Sequence, residues 1–171
     1  MNLTTERLYL RDFTPKDKEN IYSLESLPDV VQYQTYTPMT ESDAENYVKR
    51  ALESLTEESR TVFELIVELK DSHDFIGRVG MKIDYEKLHA DLWFSILPVM
   101  QKKGYAAEAT RGLISLVPEL KSLGIECDPR NERSRKLAKQ LGFEEVQFQE
   151  RSHESKGEWV GSVEYGKILR L

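Results

Sequence analysis

Between His89 and Gly112 the chain changes its period within a few residues, and that change limits what it can fold into. Residues 89–96 alternate, with Ala90, Leu92, Phe94 and Ile96 on one face and His89, Asp91, Trp93 and Ser95 on the other. That is a strand's period of two. Pro98 has no N–H to give to a ladder, so pairing is expected to fail there. From Tyr105 the spacing turns helical: Tyr105, Ala109, Gly112, Leu113 and Leu116 recur at three and four. The join is Gln101-Lys102-Lys103-Gly104, short, basic and carrying one glycine. A helix start offers unpaired N–H groups and the positive end of a dipole, so this turn suits an anion, phosphate above all. A P-loop would need Lys-Ser/Thr after its last glycine, but Gly104 is followed by Tyr105. A dinucleotide turn would need three glycines after the first strand of a βαβ unit.

The flanking segments predict a single domain over 1–171 with α+β architecture. Arg7 to Arg11 reads as a short strand with Leu8 and Leu10 on one face. Thr14-Pro15-Lys16-Asp17 and Thr40-Glu41-Ser42-Asp43 read as helix starts, the second followed by a stripe from Ala44 to Leu55. Residues 28–38 read as a short helix and a loop, in which Tyr33 and Tyr36 serve either the core or a substrate pocket. Residues 61–69 and 75–84 alternate and form a hairpin, with Phe75, Val79, Met81 and Ile83 inward, and the strand from His89 extends it to an antiparallel meander. Pro118 kinks or ends the helix from Tyr105. Residues 124–127 make a buried strand, giving one parallel βαβ crossover. Asp128-Pro129 opens a further helix with Leu137, Ala138 and Leu141 inward and Gly142 at its end. Residues 143–149 are a strand, Ser152 to Gly157 a polar loop, and Trp159 to Leu171 a last strand. The sheet is mixed and mostly antiparallel, with helices on both faces.

Net charge is 24 − 30 = −6, which argues against a nucleic-acid partner. No apolar run approaches a membrane span and no signal-peptide pattern is present, since Arg7 and Arg11 interrupt the apolar positions. One cysteine, Cys127, leaves no disulfide framework, and the three histidines, His73, His89 and His153, have no metal spacing and read as exposed. The expected compartment is the cytoplasm and no metal is expected. Exposed sheet edges and the last strand are compatible with a homodimer.

Gln101, Gly104 and Ala106 resemble the signature of the GNAT superfamily of N-acetyltransferases, Gln/Arg-x-x-Gly-x-Gly/Ala. Other segments resemble its ribosomal-protein-type (Rim-like) branch, in order along nearly the whole chain. They are Thr5, Arg7, Leu8, Leu10, Arg11 and Phe13; Phe75-Ile76-Gly77 with Gly80; Gly104-Tyr105-Ala106 with Glu108-Ala109; and Asn131, Ser134, Leu137 and Leu141-Gly142-Phe143. Gly157 and Trp159 fit more loosely.

The resemblance implies the GNAT fold, whose central strands splay into a coenzyme A cleft, and acetyl transfer from acetyl-CoA to a primary amine by direct attack. The acceptor would be a protein N-terminal α-amine or a small amine, its pocket built by residues 28–40, the second helix and the 150–158 loop. Backbone N–H groups of Gln101, Lys102, Lys103, Gly104, Tyr105, Ala106 and Ala107 would wrap the pyrophosphate. The strand end Phe94, Ile96 and Leu97 would bind pantetheine and supply an oxyanion donor. Asn131 would contact the pantetheine arm, cap its helix, or both. Lys102 departs from the branch's usual glycine; its side chain either limits backbone approach or pairs with a phosphate. Glu126, five before Asn131, matches a general-base position, with burial expected to raise its pKa; a water chain to a more distant carboxylate is the alternative. Many family members carry an acid tyrosine where Ala138 stands; Rim-type members use the serine three after the asparagine instead, and the resemblance implies that role for Ser134. A non-catalytic acyl-CoA-binding or regulatory protein on the same fold is the rival reading.

Overall fold

The computed structural model describes residues 1–170. Its thirteen helices and strands run in chain order: β1 (Asn2–Thr4), β2 (Leu8–Arg11), α1 (Lys18–Glu25), α2 (Pro28–Val31), α3 (Glu41–Ser54), β3 (Val62–Leu69), β4 (Phe75–Asp84), β5 (His89–Ile96), α4 (Tyr105–Ile114), β6 (Ser122–Cys127), α5 (Glu132–Gln140), β7 (Glu144–Ser155) and β8 (Glu158–Ile168). The strands form one sheet in the order β1-β2-β3-β4-β5-β6-β8-β7, antiparallel except for β5 with β6. The meander is β3-β4-β5 and the crossover is β5-α4-β6, as the alternating segments predict.

Apolar alternation assigns the two faces. On one, Leu8, Leu65, Val79, Met81, Ala90, Leu123 and Tyr165 pack with Ala109 and Leu113 of α4 and Leu137 and Ala138 of α5. On the other, Ile66 packs with Phe13, Ile21 of α1, and Ala44, Val48 and Ala51 of α3. Each fully buried leucine contributes about 2–3 kcal/mol of transfer free energy. The polar members of β3 are therefore enclosed as well. Glu64, Glu68 and Arg78 are each 7% exposed and Glu25 is fully buried, so charge pairing has to compensate their desolvation. Arg78 donates 2.7 Å bonds to Glu25 and to Glu64, and Arg11 pairs with Glu68 and Asp17.

Four local expectations change. The ladder between β3 and β4 breaks at Val67/Glu68, where Val67 faces Gly77 but Glu68 faces Phe75. That bulge reverses parity, so Phe75 packs on the α1–α3 face and Ile76 takes the inward place. β7 extends to Ser155 and β8 begins at Glu158, so the loop expected over Ser152–Gly157 shrinks to Lys156-Gly157. Both turn residues have positive φ, 51° and 80°, which matches the twist of a two-residue hairpin. α3 ends at Ser54, one residue short of Leu55, which becomes its C-cap, and α5 starts at Glu132 after a turn at Asp128–Arg130, with Asn131 as its cap.

Candidate active site

β5 and β6 pair only at His89, Ala90 and Asp91 with Ser122, Leu123 and Gly124. Beyond Asp91 the two strands separate, and each keeps an unpaired edge facing the gap. Alternation in the β4–β5 ladder says which groups face it. The Leu97 N–H donates to Ile76 O at 2.8 Å, so Leu97 and Ser95 turn their backbone groups to β4, and Phe94 and Ile96 turn theirs to the gap. The Ile96 carbonyl already accepts from Gln101 Nε2 at 3.0 Å. The open groups are therefore the Phe94 N–H and C=O and the Ile96 N–H. Leu97, expected among the binding groups, has its N–H committed to β4.

The gap leads to the phosphate-type turn. Gly104, at φ 82°, ends the loop and caps α4. The first intrahelical bond is from Glu108 N–H to Gly104 O, so the N–H groups of Tyr105, Ala106 and Ala107 have no intrahelical acceptor. Ala107 is buried as a whole residue, while Tyr105 and Ala106 are half-buried. Gln101 holds the loop through its side chain, linking Ile96 O to the Arg133 guanidinium. From the other side Arg7 binds Lys103 O at 2.9 Å and the Glu108 carboxylate at 2.7 Å, and stacks on the Tyr105 ring. Burial pushes the Glu108 carboxyl up, but the Thr5 hydroxyl and the Arg7 N–H and guanidinium outweigh it and hold it below the usual range. Lys102 and Lys103 are exposed, and Lys102 sits at φ 61°, in the left-handed region where its counterpart glycine is unstrained.

At the mouth of the splay lies a cavity of about 330 Å³. Its walls are the ends of β5 and β6, the first turn of α5, the β7–β8 hairpin and the loop after α2. Glu126 and Ser134 both line it, with Asn131 beside them. Asn131 Oδ1 accepts from the Ser134 N–H at 3.2 Å, so this residue caps α5 and faces the cavity at once. Glu126 is exposed to the cleft, not buried as expected, and its Oε1 accepts from the Ser162 hydroxyl at 2.6 Å.

Of the segments expected to wall an acceptor pocket, residues 28–40, α3 and the 150–158 stretch, only some reach the cavity. Gln32 to Thr35 and the hairpin residues His153, Ser155, Lys156 and Glu158 line the cavity, but no residue of α3 does. The hairpin tip is fastened to the loop. Lys156 Nζ donates to Val31 O at 2.7 Å, and the Arg130 guanidinium lies 5.6 Å from the Tyr33 ring centre. Trp93 forms another part of the wall.

Sequence reasoning missed Trp93, Ser162 and His153 as site residues. The sequence pattern puts His153 in an exposed loop, but it is half-buried on β7 and lines the cavity. The usable signal was the Lys156-Gly157 turn, which extends the hairpin back past His153. Cys127 also lines the cavity; burial pushes its thiol up to about 11, which leaves a protonated, weak nucleophile.

Residues 7–144 match the family model described as "Acetyltransferase (GNAT) domain". A Bacillus subtilis protein named as an uncharacterized N-acetyltransferase, YnaD, is 26% identical over 168 residues, covering 96% of this chain and 95% of that one. Two solved structures share the fold at low identity. One is the microcin self-immunity acetyltransferase MccE in complex with acetyl-CoA and AMP, with TM-score 0.84, 18% identity and coverage of 96% and 94%. The other is a Salmonella typhimurium acetyl transferase that modifies the N-terminal serine of a 50S ribosomal subunit protein, with TM-score 0.87, 12% identity and coverage of 99% of both chains.

Proposed function

The chain belongs to the GNAT acetyltransferase family, and we propose that its cleft holds acetyl-CoA while the 330 Å³ cavity holds a primary amine. The carrying observation is that Glu126 and Ser134, on different elements, line one cavity at the splay of β5 and β6.

The residues present fit acetyl-CoA. The free N–H groups opening α4, with Lys102 and Lys103 nearby, suit a pyrophosphate. The open edge of Phe94 and Ile96, with Asn131, suits the amides of a pantetheine arm. Bound there, acetyl-CoA supplies a thioester carbonyl activated for attack. The N–H of Phe94 or Ile96 stabilises negative charge on the carbonyl oxygen. Glu126, its Oε1 held by Ser162, keeps the other oxygen for the acceptor's ammonium and is the first proton acceptor. Ser134 gives a proton to the departing sulfur and is reprotonated by the one Glu126 has taken from the ammonium, so that no alkoxide is left. The acceptor is a protein N-terminal α-amine or a small amine, and the working compartment is the cytoplasm. The MccE complex with acetyl-CoA supports the cosubstrate, and the Salmonella enzyme's N-terminal serine supports the first acceptor class.

Thiol release from acetyl-CoA over a panel of polyamines, amino acids, aminoglycosides and ribosomal-protein N-terminal peptides tests this. Wild type should release thiol only with an amine present, and Glu126→Gln and Ser134→Ala should each lower kcat by roughly 10²-fold or more. Binding of acetyl-CoA without turnover of any amine would favour a non-catalytic acyl-CoA-binding protein.

A further inference from the structure

We infer that His153 is the second proton acceptor of the reaction, the group by which the acceptor's proton leaves the cavity. This rests on the amine acetylation proposed above. An ammonium carries three protons and the amide product one. As the nitrogen bonds to the acetyl carbon and the C–S bond breaks, one of the two lost protons ends on sulfur. The other must reach solvent through a group able to take it and give it up.

The cavity's own side chains narrow the choice. From β6, the Cys127 thiol is already protonated. Asp128 is a poor acceptor: Arg130 donates to its Oδ1 from N and Nε at 2.9 and 3.0 Å and to its Oδ2 from Nη2 at 2.7 Å. Burial pushes the Asp128 carboxyl up, but those bonds outweigh it and hold it low. On β8, Glu158 is bound by the same guanidinium at 3.1 Å. At the hairpin tip Lys156 is a cation spent on backbone carbonyls, and in the facing loop Tyr33 is a phenol. Two groups remain: Glu126, which meets the ammonium, and His153. His153 stands on a different wall, half-buried, with one side toward the cavity and part of its surface in solvent. The Asp128 carboxylate lines the same cavity. Imidazole is also the side chain that both gains and loses a proton readily near neutrality.

The test is kcat/KM for thiol release against pH, between about 5.5 and 9, for the full chain and for His153→Gln and His153→Glu, with acetyl-CoA affinity measured alongside. Wild type should lose activity on the acid side of neutrality. His153→Gln should lose roughly 10-fold or more at neutral pH and lack that limb. His153→Glu should recover part of the rate with the limb moved to lower pH, which a packing role would not produce. Acetyl-CoA affinity should be unchanged in both. A His153→Gln enzyme that keeps rate and limb overturns the inference while leaving the transferase intact. A wild type that turns over no amine overturns the reaction itself, and the inference falls with it.

Discussion

The indole N–H of Trp93 donates to the carboxylate of Glu64 at 3.1 Å. That bond joins the wall of the 330 Å³ cavity to a charged cluster sealed inside the fold. Glu64 also accepts from Arg78 and from the Tyr47 hydroxyl, and Glu25 accepts from Arg78 and from Tyr36, just beyond the cavity loop. The cavity wall is thus fixed from behind by groups that never meet a ligand.

Gly80 lies opposite Trp93 across β4–β5, and a Cβ there would come within 2.3–2.5 Å of the indole. Gly80→Ala should displace the ring and break its bond to Glu64. We expect a loss of about 1–3 kcal/mol in urea unfolding and a higher KM for the amine with acetyl-CoA affinity unchanged. In a Trp159→Phe background, which leaves Trp93 the remaining tryptophan, its emission should shift to the red.

Arg78 neutralises two buried carboxylates. Arg78→Met leaves both uncompensated and should cost about 3–5 kcal/mol at neutral pH. Urea titration measures it, and a loss below about 1 kcal/mol would mean the cluster is dispensable.

Lys102 at φ 61° separates backbone strain from charge. Lys102→Gly and Lys102→Ala both remove the ammonium, but only glycine relieves the left-handed conformation. The glycine variant should be the more stable by about 1 kcal/mol in thermal or urea melts. If the ammonium pairs with a phosphate, acetyl-CoA affinity should fall equally in the two, and more at low salt.

The Glu108 carboxyl is held low in the folded state, so its contribution is present above the unfolded value of about 4.3 and lost as pH falls through the lower folded value. Asp17 behaves alike: burial pushes it up, but the Arg11 guanidinium, Thr14 N–H and Asn20 amide outweigh that. Stability should therefore decline below about pH 4. Glu108→Gln should flatten part of that decline and, by freeing Arg7 from its partner, weaken acetyl-CoA binding at neutral pH. Chemical denaturation at several acid pH values checks the slope.

Much of the proposed cofactor side was legible because it is local. Pro98 ends β5, Gly104 takes the positive φ that starts α4, Thr40 caps α3 through Asp43, and Gly142 ends α5. Each depends on residues within a few positions. The acceptor side was less legible. β7 at the sheet edge is exposed over most of its length, so no apolar alternation marks residues 150–155 as strand. Glu64 and Arg78 read as polar positions of a strand, because nothing near them announces that α1 and α3 will cover that face.

The sequence by itself determined the order of elements, the meander and crossover and the phosphate-type turn, since periodicity and turn chemistry act over a few residues, while Glu126 and Ser134 were nominated by the family resemblance. Tertiary structure alone decided that Phe75 changes face, that Leu97 gives its N–H to Ile76, that Trp93 rests on a buried Glu64 and that His153 enters the cavity of Glu126. Those outcomes depend on strand register and on which surfaces become covered, and both are set by contacts between segments far apart in the chain.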